Sequence, residues 1–143
     1  MRRILPALGA LLLFGGTSCS SESQAAGIVG VYDATQTLQA GNTAILRYWF
    51  SADGKWGRSN RQIVSGTNND LCGSTADTSY EVRADKVYLR DGANTSERTW
   101  TLSEGDTMLK LEPGDSFTNG TPANTFKRVA GAQTNRTCNT AFQ

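Results

Sequence analysis

The chain of 143 residues contains no histidine, three cysteines, three prolines and two methionines, and each shortage removes some chemistry. Without an imidazole, a Ser-His-Asp triad, a Cys-His pair, a His-ligated zinc or haem and a His general base all lack a required part. Catalysis at neutral pH would fall to carboxylates, Lys, Tyr or Cys. An excess of one charge is missing too. Lys plus Arg number 14 against 13 Asp plus Glu, and loss of a leader carrying Arg2 and Arg3 would leave 12 against 13, a net charge of −1. That balance gives no electrostatic footprint for nucleic acid. Long apolar runs are absent as well. The stretch Ile4 to Phe14 is interrupted by Pro6 and Gly9, and a helix needs about twenty apolar residues to cross ~30 Å of hydrocarbon.

What the N-terminus does contain is an address. Arg2 and Arg3 form a positive start, the apolar run follows, and Gly15-Gly16-Thr17-Ser18 leads to Cys19. This order reads as a signal peptide over residues 1–18. The small residues before Cys19 resemble the lipobox of bacterial lipoproteins, whose cysteine becomes the lipid-modified, palmitate-bearing first residue of the mature chain. That resemblance implies a membrane anchor made of acyl chains, each buried methylene contributing ~0.8 kcal/mol. Ser20, not Asp, follows the cysteine, which by the same resemblance implies the outer membrane, facing the periplasm. Residues 19–27 lack apolar periodicity and read as lipidated cysteine plus tether. The alternative is cleavage near Ala25-Ala26, giving a soluble secreted protein.

Cysteine usage agrees with export. Setting Cys19 aside leaves Cys72 and Cys138, an even remainder that reads as one disulfide in an oxidising compartment. There is no Cys-x-x-Cys pair and no basic neighbour to activate a thiol.

The remaining chain, 28–143, reads as one all-β domain. Apolar residues recur at every second position, and no stretch of a dozen residues keeps a helical period. Thr43 to Ser51 places Ala44, Leu46, Tyr48 and Phe50 on one face, and Ala52-Asp53-Gly54 turns the chain into Lys55 to Val64. After a long polar loop, 65–78, short strands follow about every ten residues. The spacing predicts an eight-stranded antiparallel meander barrel, with a β-sandwich as the alternative. The predicted inward set is Leu46, Tyr48, Phe50, Trp56, Tyr80, Val82, Leu89, Trp100, Leu102, Leu109, Leu111 and Phe126. Ile45 and Trp49 fall on the other face, where they mark an interface or are covered by the tail.

Gly30-Val31-Tyr32, the hairpin Tyr48-Trp49-Phe50-Ser51-Ala52-Asp53-Gly54-Lys55-Trp56, the repeated Tyr80-x-Val82 and Leu109-x-Leu111, and the closing Phe126-Lys127-Arg128 resemble small bacterial lipocalin-like lipoprotein domains. The resemblance implies a non-catalytic binding module for a small apolar ligand. An eight-stranded barrel holds either its own side chains or one small ligand, and in the second case Tyr48, Phe50, Trp56, Tyr80, Trp100 and Phe126 are the candidate ligand-binding residues. The alternative is an inhibitor or immunity protein that binds an envelope-directed enzyme or toxin. Its candidate contacts lie in the long loop, at Asn68, Asn69, Asp70 and Leu71, because long loops in compact domains carry function. The sequence does not read as an enzyme. Asp53, Asp85, Asp91, Glu104, Asp106 and Asp115 all fall in predicted turns, where a carboxylate is solvated and keeps its ordinary pKa. No cofactor and no metal site is expected; the oxygen-rich stretch 91–97 lacks the spacing of an EF-hand loop.

Overall fold

The computed structural model describes residues 27–143; the signal peptide expected at 1–18, the lipidation expected at Cys19 and the expected tether up to residue 26 lie outside them. Alternating apolar and polar residues fold into nine antiparallel strands: β1 (Gly30–Thr37), β2 (Thr43–Phe50), β3 (Trp56–Val64), β4 (Thr67–Cys72), β5 (Thr78–Arg83), β6 (Lys86–Asp91), β7 (Asn94–Ser103), β8 (Met108–Ser116) and β9 (Pro122–Arg128). Their spatial order is β4-β3-β2-β1-β9-β8-β7-β6-β5. Nearly every strand therefore lies beside its neighbours in the chain, and β1 meets β9. The circle breaks once, between β4 and β5. The fold is an all-β meander whose sheet curls into a half-barrel.

At one end the break is bridged from β3 and the turn before it. Tyr80 N donates to Gly54 O at 2.8 Å, and Thr78 Oγ1 donates to Trp56 O at 2.6 Å. Beyond Trp56 the edge of β3 is taken by β4 instead, beginning where Gly73 N donates to Arg58 O at 3.0 Å. The ninth strand, β4, lies inside the segment that the composition reads as a loop. Its residues have low strand propensity, and the partner strand imposes their conformation. Ser65 and Gly66 both take positive φ, 50° and 78°, the geometry of a tight hairpin turn. The guanidinium of Arg61 then grips Asp70 with two bonds of 2.7 Å.

Pro113-Gly114-Asp115 also differs from expectation. The strand continues through it as a bulge: the register passes from Lys110↔Thr125 to Asp115↔Ala123, so β8 spends five residues where β9 spends two. Gly114 approaches the Ala123 carbonyl too closely to carry a Cβ.

All of the predicted inward residues join one core cluster, together with Ile28, Tyr32, Val87 and Phe117. On the convex face a second, smaller cluster unites Val31 and Trp49 with Ala141 of the C-terminal tail. The tail thus covers Trp49. Gly57 lies beneath the same indole, leaving no space for a Cβ. Arg47 holds both layers together: it pairs with Asp33 through two bonds of 2.6 Å and donates to Ala141 O at 2.9 Å. The Phe142 ring lies 4.7 Å from the Arg47 guanidinium and 4.3 Å from that of Arg61. The disulfide Cys72–Cys138 fastens the tail to the end of β4, with Cα atoms 5.4 Å apart.

Candidate binding surfaces

The aromatic residues proposed for a ligand do come together, but they pack on one another. Tyr48, Phe50 and Phe126 are wholly buried, and Trp56 nearly so. Tyr48 stacks with both Phe50 and Trp56, each centroid 6.2 Å away, while Phe126 meets it edge-on at 5.2 Å. Phe50 in turn meets Tyr80 edge-on at 5.3 Å. These offset and T-shaped arrangements are the ones ring quadrupoles favour.

The polar tips of these rings are also engaged within the chain. Tyr48 OH donates to Asp115 at 2.7 Å, Trp56 Nε1 to Arg90 O at 2.8 Å, Tyr80 OH to Ser51 O at 2.9 Å and Trp100 Nε1 to Ala84 O at 3.2 Å. A ligand seeking those groups would have to displace bonds the fold already makes.

A polar cluster caps this aromatic stack. Asp115, set inward by the bulge in β8, accepts from Tyr48, from Arg58 Nη1 and from its neighbour Ser116 N. Burial would raise its carboxyl, but the hydrogen bonds from Arg58 and Tyr48 outweigh burial and hold it below the usual carboxylate range. Burial pushes the Tyr48 phenol well above its ordinary value. Arg98, from β7, shares the cluster. Its guanidinium lies 5.9 Å from the Tyr48 ring, and its Nη1 donates to Pro113 O and Gly114 O at 3.0 and 2.9 Å. Its Nε is buried without a hydrogen-bond partner, a state that costs about 1–3 kcal/mol. Asp115 is therefore no solvated turn carboxylate, and Arg58 and Arg98 were not singled out from sequence. The one available signal was their place on the inward side of strands, opposite Tyr48 and Val87.

The candidate partner contacts lie on β4, all six residues of which are exposed. Pairing alternates their faces. Asn69 and Leu71 stand opposite Gln62 and Asn60 on the concave side, whereas Asn68 and Asp70 stand opposite Ile63 and Arg61 on the convex side. Leu71 keeps 59% of its surface exposed. The bond from Gly73 N to Arg58 O sets the phase of the ladder. Residues 67, 69 and 71 turn their amides to β3, and the backbone groups of Asn68, Asp70 and Cys72 turn outward. The strand is held firmly: Ser59 Oγ donates to Leu71 O at 3.1 Å, and the Arg61 bonds keep the Asp70 carboxyl below its ordinary value.

Among the described residues no three His, Cys, Asp or Glu side chains gather to hold a metal, and no helix is long and apolar enough to cross a membrane. No family model, curated protein or solved structure matches the chain.

Proposed function

We propose that this protein is an exported, lipid-anchored and non-catalytic binding module that engages a protein partner, an envelope-directed enzyme or toxin, through the β3–β4 hairpin. The observation that carries this reading is the edge of β4, which no other strand among the described residues pairs, with outward backbone groups at Asn68, Asp70 and Cys72 and an exposed Leu71 beside them. An unpaired edge is a template for an added strand. The turn at Ser65-Gly66, the Arg61–Asp70 pair and the disulfide order this edge before any partner arrives, which lowers the entropic cost of association. The reading as a binder of a small apolar molecule has less support, because its six candidate residues are occupied in the core or in internal hydrogen bonds. Anchoring at Cys19 would hold the domain at the outer membrane, where such partners pass.

The test is native mass spectrometry on protein extracted in mild detergent from its own envelope. The reading expects acyl mass on Cys19 and an associated protein that is lost in Leu71→Asp while that variant keeps its disulfide and melting temperature. A bound species of a few hundred daltons, or a partner indifferent to Leu71→Asp, overturns it.

A further inference from the structure

Where β4 ends and the break in the sheet begins, a cavity of about 180 Å³ opens between the β3–β4 wall and the β6–β7 hairpin. Arg58 and Arg98 both line it, with Trp56, Leu89, Asn94 and Ser96 around them. We propose that this cavity binds a carboxylate, held between the two guanidiniums.

The argument begins with charge. Of the two cations, Arg58 is paired with Asp115, whereas Arg98 has only backbone carbonyls as acceptors and forms no ion pair among the described residues. The cavity lining itself carries two positive charges, Arg58 and Arg98, against the one negative charge of Asp91, and Arg98 has no carboxylate partner of its own. Asp91, the carboxylate of that lining, accepts from the amide and hydroxyl of Thr75. Its charge disfavours a dianion, so a monoanion fits better than a phosphate. Hydrogen bonding points the same way. The buried Nε of Arg98 lacks an acceptor, and a planar carboxylate is the group that a guanidinium edge receives through two parallel bonds. A small swing of Arg98 toward the cavity would bring that edge to it. The volume suits a short acid or the end of an acidic side chain. Asn94 and Ser96, on the same strand as Arg98, supply further donors.

This site does not depend on the hairpin reading, and its test needs no partner. The Nε–Hε signals of the arginines are followed by NMR while the folded domain is titrated with sodium acetate, with sodium chloride at matched ionic strength and inorganic phosphate as controls. The expected result is a saturable shift at Arg98 and Arg58, absent at Arg83 and Arg128, and at least tenfold weaker with phosphate. Ser96→Asp, which places a carboxylate on the cavity wall, should abolish the acetate response and raise the melting temperature. Arg98→Gln should remove the response at Arg58. A linear shift shared by all arginines, or a Ser96→Asp protein that still binds acetate, overturns the proposal. Whether the carboxylate belongs to a free acid or to a partner is read from the same variant. Loss of an associated protein in Arg98→Gln assigns it to the partner, and retention assigns it to a free acid.

Discussion

At Asp115 one carboxylate joins the aromatic core to the polar cluster above it, accepting from Tyr48, Arg58 and the Ser116 amide. Its carboxyl is held below the ordinary value, so it binds fewer protons folded than unfolded in the acid range. Its stabilisation is therefore fully present above an unfolded pKa near ~3.9 and is lost as pH falls through the lower folded value. Asp115→Asn should cost about 2 kcal/mol at pH 7, as expected for charge-assisted bonds, and the difference from wild type should shrink below pH ~4. Urea unfolding at several pH values checks this; a pH-independent difference would mean that the charge contributes nothing. Tyr48→Phe, which removes only one of the donors, should cost about 1 kcal/mol. Sequence could not place Asp115 here. Pro113-Gly114-Asp115 is the composition of a turn, and only the unequal spacing of β8 and β9 shows that the chain bulges and turns this side chain inward.

Among the elements, legibility followed burial. Strands β2, β6 and β8 carry alternating Leu, Tyr, Phe and Val, so their inward faces could be read residue by residue, and they are the faces found in the core. β4 could not be read this way, because Thr-Asn-Asn-Asp-Leu-Cys has no apolar face to bury. Its conformation comes from β3, paired with it across the Ser65-Gly66 turn, and from the disulfide to Cys138, and neither leaves an apolar period in the segment. The phase of its ladder has a direct check by hydrogen exchange. The amides of Asn69 and Leu71 should be protected and those of Asn68 and Asp70 should exchange rapidly, and the reverse order would mean a one-residue slip that exchanges the two faces. The fit of the tail makes a similar demand on β3. Since Gly57 lies directly under Trp49, Gly57→Ala should destabilise by about 1–3 kcal/mol through overpacking. Thermal unfolding measures it, and no loss would mean that Trp49 is free to move.

For the molecule as a whole, the break between β4 and β5 leaves a half-barrel that depends on crosslinks rather than on closure. β3 and the turn before it reach β5 through one bond each at one end, Arg58 reaches Asp115, and Gln62 reaches Thr118 across the concave side. On the convex side the tail is fastened at Cys138, Ala141 and Phe142. The cysteine pairing was legible once Cys19 was set aside and two cysteines remained, but its role was not. It ties the end of β4 to the strap that covers Trp49, so a single bond orders both the proposed contact edge and the second core. Closing 66 residues of chain should contribute about 4 kcal/mol by restricting the unfolded state. Replacing both cysteines with serine should lower the unfolding free energy by about that amount. If the bond acted only on the unfolded state, the folded variant would keep its spectrum and its exchange pattern. If it also holds the strap, Trp49 should become accessible, with red-shifted emission and easier quenching by acrylamide, and exchange should quicken at residues 67–72 and 135–142 while the β6–β8 amides stay protected. The geometry favours the second outcome. Apart from the disulfide, the strap is held by a small apolar cluster, by Arg47 and by Phe142 between two guanidiniums, far less than the packing that holds Tyr48 and Phe126 inside.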